Sequence, residues 1–135
     1  MKRTLSLSTE PTNESKDIVN INDISGIVNH STDIIFCDIL ENINESNLPQ
    51  FMTELFNKIK PGGYIVFKIT DAKKICSEFL QNKISNTEFA QIFKLKENVV
   101  MLDLIYTFID GSVFNVTKLD QEKRHITLTI QRVSV

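Results

Sequence analysis

The chain has 135 residues, enough to bury a core, and its 41% hydrophobic and 24% charged residues are ordinary for a globular protein. A formal net charge of −2 supplies no basic field of the kind that draws nucleic acid or an anionic membrane. The N-terminal MKRTLSLSTEPTNE turns polar too early for a secretory leader, and no later run is apolar enough to span a bilayer. The expectation is a single domain, residues 1–135, in the cytoplasm.

RTLSLS (residues 3–8) alternates and predicts a short strand, and the polar TEPTNESK after it predicts a loop. DIVNINDI (residues 17–24) alternates weakly and is read as a second strand, followed by a connection or helical turn in SGIVNHST. DIIFCDIL is continuously apolar, the pattern of a strand covered on both faces of a parallel sheet.

Leu48, Phe51, Met52, Leu55, Phe56 and Ile59 recur at spacings of three and four, one stripe of an amphipathic helix. Ser46 or Asn47 is placed to cap it, Pro49 suits its first turn, and Lys58 and Lys60 suit the negative end of its dipole. Pro61 cannot continue the helix, and Gly62 or Gly63 is free to take a left-handed terminal conformation. YIVFKI (residues 64–69) then reads as another apolar strand.

Thr70 or Asp71 is placed to cap a helix containing Ile75, Phe79 and Leu80, and a shorter helix carries Phe89, Ile92 and Phe93. ENVVMLDLIYTFIDG is read as helical by its length and its Gly111 stop. SVFNVTKL and HITLTIQRV both alternate around the polar DQEKR and predict a hairpin. Strands alternating with helices and closed by an antiparallel hairpin define an α/β sheet.

Cys37 and Cys76 show neither metal spacing nor a C-x-x-C pair and fall in apolar segments, which predicts two reduced core thiols. His30 and His125 each lack a neighbouring His or Cys, so no zinc site is expected.

Residues 33–135 resemble the C-terminal half of class I S-adenosylmethionine-dependent methyltransferases. TDIIFCDILENI looks like the family's fourth strand and the acidic segment after it, with Asn42 where a histidine is usual. LFNKIKPGGYIVFKI resembles its helix-to-strand turn, and the closing hairpin resembles its last two strands. The implied fold is a trimmed Rossmann-like sheet, mostly parallel, ending in the antiparallel hairpin. The implied cofactor is S-adenosylmethionine, at the carboxyl ends of the strands.

By that resemblance Ser8 stands where the family's glycine-rich loop begins, and no glycine occurs before Gly26. Asn22 or Asp23 takes the place of the acidic residue that holds the ribose, and Asp38 and Ile39 follow the fourth strand. Glu41 is read as a cap or solvent-facing group, and Lys68 as a snorkelling lysine. The space between Leu7 and Asp33 is too short for the usual helices, so one face of the sheet is expected to be partly uncovered. That predicts a second copy or a protein partner. Two functions follow: a methyltransferase of unknown acceptor, or a non-catalytic methyltransferase-like module serving assembly.

Overall fold

The computed structural model describes residues 4–7, 17–18, 21–94, 96 and 99–134, with side chains for all of these except 17, 18 and 21–23. Six strands form one sheet: β1 (Thr4–Leu7), β2 (Asp17–Ile18), β3 (Thr32–Cys37), β4 (Ile59–Thr70), β5 (Phe114–Glu122) and β6 (His125–Arg132). Their order is β2-β1-β3-β4-β6-β5. The first four are parallel, while β6 runs antiparallel to both β4 and β5. The expected α/β sheet, mostly parallel with an antiparallel hairpin at its end, is therefore the fold that forms.

The helices are α1 (Leu48–Lys58), α2 (Ala72–Leu80), α3 (Asn86–Phe93) and α4 (Leu102–Phe108). Register shows what α1 and α4 cover. Leu5, Ile35, Ile65 and Ile130 lie side by side across four strands, as do Leu7, Cys37, Phe67 and Leu128. These residues join Phe51, Met52 and Leu55 of α1 and Ile105 of α4 in one core. The alternate residues Ile34, Phe36, Tyr64 and Val66, on the other face, are outside that core.

The Lys-Pro-Gly-Gly turn departs from its sequence reading. Helix α1 stops at Lys58, and Ile59 is already extended at φ −80°, ψ 135°. Proline biases Lys60 before it towards extended backbone and bars the helix from continuing, and pairing of Ile59 with Thr32 of β3 sets the helix end one residue earlier still. Residues 61–63 then lie inside β4, where the pairing with β3 shifts register between Thr32 and Ile34. Gly62 takes φ 85°, and a Cβ at Gly63 would stand 2.7 Å from the Asp33 carbonyl oxygen. The glycines build a bulge in a strand rather than a helix cap.

Other elements are shorter or shifted. Of the strand expected at residues 17–24, Asp17–Ile18 is paired, and Ile21–Gly26 winds into a 3₁₀ turn that sends Ile24 into the core. Neither Ser46 nor Asn47 caps α1; the Asn44 side chain accepts the Ser46 N–H at 3.0 Å and starts a 3₁₀ turn that runs into the helix. Asp71, not Thr70, caps α2, accepting the Lys74 N–H at 3.1 Å. Helix α4 occupies half of its expected span, because Val99 and Val100 stay outside it. The hairpin turn is confined to Lys123 and Arg124, with Lys123 left-handed, so part of DQEKR belongs to β5. Cys37 is buried as expected, whereas Cys76 is exposed on α2.

Among the described residues no helix is long and apolar enough to cross a membrane, and no group of three His, Cys, Asp or Glu is placed to hold a metal ion.

Candidate functional site at the carboxyl edge of the sheet

Strand order reverses at β1: β2 lies on one side of it and β3 on the other. Helix-covered parallel sheets bind ligands in the crevice at such a reversal, beyond the carboxyl ends of the strands. Here those ends are Leu7 and Cys37, paired directly across the sheet. The next residue, Asp38, is exposed, and its N–H donates to the Leu7 carbonyl at 3.1 Å, bridging the two strands. Ile39 turns the other way and is 7% exposed, with its side chain in the core, so its main chain is what it can offer a ligand. Asn22 and Asp23 lie on the 3₁₀ turn that follows β2, but their side chains, and all of Ser8, fall outside the described residues.

A second group lies beside this crevice. Strand β3 ends opposite Phe67, so β4 overhangs it by three residues, Lys68 to Thr70. Glu41, on the 3₁₀ turn after β3, supplies acceptors for that overhang. One of its carboxylate oxygens accepts the Thr70 N–H, and the other accepts the Thr70 hydroxyl at 2.9 Å. The Lys96 ammonium, from the segment between α3 and α4, pairs with the same carboxylate. Glu41 is buried, which overturns the solvent-facing alternative of its reading and leaves it accepting a main-chain N–H, that of Thr70. It ties together the 3₁₀ turn that follows Asp38 and Ile39, the end of β4 and the segment at Lys96.

His125 begins β6 directly opposite Thr70. Partial burial, then the nearby Lys68 and Lys96 charges, lower its pKa below 6.5, against the opposing pull of Glu41. Its imidazole is thus neutral at pH 7 and able to accept a proton. Neither Lys96 nor His125 carries a sequence signal: one lies in a polar stretch, the other at the start of an alternating strand.

A cavity of about 460 Å³ opens at the same end of the sheet, between the start of α2 and the start of α4. Ile69, Ala72, Val100, Leu102 and Ile126 form its apolar part, with Asp71 and Lys73 at its polar side.

No protein-family model and no curated protein sequence matches the chain. Solved structures do. An O-methyltransferase family protein from Burkholderia thailandensis superposes at a TM-score of 0.62 with 16% identity, over 88% of this chain and 36% of that one. A SAM-dependent methyltransferase from Archaeoglobus fulgidus gives 0.60 and 9%, over 87% and 68%. The PH0226 protein from Pyrococcus horikoshii OT3 gives 0.63 and 14%, over 87% and 60%. The chain has the fold of class I S-adenosylmethionine-dependent methyltransferases. It spans roughly half the length of several of these structures, 45% and 60% in two further cases.

Proposed function

We propose that the chain binds S-adenosylmethionine across the carboxyl ends of β1 and β3, as a methyltransferase-like domain whose acceptor is unknown. The observation that carries this reading is the Asp38–Leu7 bridge at the strand-order reversal. The donor chemistry fits: the exposed Asp38 carboxylate can accept from ligand N–H or hydroxyl groups, and the Ile39 main chain lies beside it. Asn22 or Asp23 is the proposed ribose acceptor, and Ser8 the first residue of the loop that would follow the cofactor.

The bound cofactor supplies an activated methyl group on a sulfonium, so transfer depends chiefly on positioning. Glu41 serves that need by fixing the 3₁₀ turn Leu40–Asn42, which follows Asp38 and Ile39, through Thr70 and Lys96. His125, neutral at pH 7 and opposite Thr70 at this edge, is our candidate among the described residues to take a proton from an acceptor.

Thermal unfolding with S-adenosylmethionine or S-adenosylhomocysteine, checked by calorimetry, tests the reading. Ligand at about a hundred times its Kd stabilises by about 2.7 kcal/mol, which raises the midpoint of a domain this size by on the order of 10 °C. Asp38→Ala should abolish the shift, read against the variant's own unliganded midpoint, with circular dichroism confirming that it is folded. No shift at millimolar ligand with the protein folded refutes the reading. The second reading, a non-catalytic module, would then stand on the absence of any glycine before Gly26.

A further inference from the structure

The sheet ends at β5, whose outer edge carries no further strand among the described residues. Such an edge is a template for another strand, and charge or a bulge blunts it against indiscriminate pairing; β5 carries both, so a partner strand must match its charges. Strand β5 has one irregularity, a register shift between Val116 and Lys118. Beyond it the strand is regular, and every residue from 115 to 122 is exposed. Lys118 and Asp120 lie on one face of the sheet, opposite Thr129 and Thr127 of β6. Leu119 lies on the other face, opposite Leu128, and is 43% exposed.

We propose that β5 pairs antiparallel with β5 of a second copy, about a two-fold axis at Leu119. Symmetry then dictates the partners: Leu119 meets Leu119 of the partner subunit, and Lys118 meets Asp120 of the partner subunit, twice. The charge pattern selects this register over its neighbours. A centre at Lys118 sets two ammonium groups directly opposite each other, and a centre at Asp120 sets two carboxylates opposite. Like charges so placed are destabilising. A centre between residues would oppose Lys118 to Leu119, which point to different faces, and directly paired residues share a face.

Within one copy, Lys118 and Asp120 already approach to 3.3 Å, but both are well exposed and such a pair holds little. In the paired sheet each charge gains a second opposite neighbour and Leu119 loses water. The surface is self-complementary, as a two-fold interface requires, so the occupant is another copy of this chain. The inference rests on the end of the sheet away from β1 and β3 and is independent of any cofactor.

Sedimentation velocity across the micromolar range tests it, with circular dichroism confirming that each variant is folded. The wild type should dimerise. Lys118→Glu and Asp120→Lys should each weaken the dimer by about tenfold or more, the equivalent of about 1.4 kcal/mol. The double variant Lys118→Glu/Asp120→Lys should restore it. In a Cys76→Ser background, mild oxidation should link Leu119→Cys to its own copy while leaving Gln121→Cys unlinked. A monomer at every concentration overturns the proposal. So does a dimer indifferent to both single reversals, or one in which Gln121→Cys cross-links in place of Leu119→Cys.

Discussion

Replacing Gly63 by alanine separates a strand bulge from a helix cap at the Lys-Pro-Gly-Gly turn. The added Cβ would meet the Asp33 carbonyl oxygen at 2.7 Å, Ile59 Cγ1 at 2.9 Å and Ile59 Cδ1 at 3.0 Å. An ordinary contact begins near 3.4 Å, so about 0.7 Å must be recovered against main chain. Ile59 is fully buried and has little room to yield, and Asp33 belongs to β3, so relief means parting β3 from β4. That places the cost near the top of the overpacking range, about 3 kcal/mol. Loss of unfolded-chain freedom returns about 0.4–1 kcal/mol, leaving about 2 kcal/mol net.

Gly62 is the internal control. It sits at φ 85°, and a Cβ added there would have no atom within 4 Å, so alanine meets backbone strain alone. That strain is about 1–2 kcal/mol, or about 1 kcal/mol after the same entropy return. Urea unfolding followed by circular dichroism should therefore rank Gly63→Ala below Gly62→Ala. A helix cap predicts the reverse, because only the left-handed residue would then need to be glycine. Gly63→Ala within about 0.5 kcal/mol of wild type, the scatter expected of an indifferent surface change, would refute the bulge.

Glu41→Ala should cost about 3 kcal/mol in the same assay, because it strands Thr70 and Lys96, and Lys96→Ala should cost less, since Glu41 keeps Thr70; equal and negligible losses would remove Glu41 as a tie. Ellman's reagent should modify Cys76 at once and Cys37 only on unfolding, since burial pushes the Cys37 thiol from 9.0 up to about 12. The same shift means that stability contributed by Cys37 is complete below pH 9.0 and is lost as pH rises towards about 12. His125 has the opposite sense: its folded pKa lies below 6.5, so its contribution is complete above that pH and is lost as the solution is acidified below it. His125→Gln should flatten this part of the urea-midpoint profile, and an unchanged slope would count against the assignment.

The sheet was legible where periodicity and punctuation agree. The stripe of α1, the apolar runs of β3 and β4 and the alternation of the hairpin each follow from local pattern. The ends of the elements did not, because tertiary pairing set them. Ile59 satisfies the helical stripe and is also a buried strand residue opposite Thr32, and the approaching β3 decides between the two. Val99 and Val100 fit a helix by spacing, yet Val100 is buried ahead of α4. The position of Asp38 at the carboxyl end of β3 was legible because it directly follows an apolar run. The role of Glu41 was not, since its partner Thr70 is 29 positions away and Lys96 comes from a third segment.

The face of the sheet turned away from α1 and α4 bears on where a partner would bind. Its apolar residues are Ile34 and Phe36 of β3 and Tyr64 and Val66 of β4, neighbours in register. Along β4 it becomes polar at Lys68 and Thr70, and across β6 it presents Thr127, Thr129 and Gln131. A strand that alternates in this way is built to leave one face in water. The continuous apolar run of β3 suggested cover on both faces, but β6 shows that this holds at most for the middle of the sheet. The uncovered area that would demand a partner is therefore smaller than the shortened N-terminal part implied. The stronger reason to expect a second copy is the open edge of β5, where main-chain groups, a solvent-exposed leucine and a self-complementary pair of charges coincide.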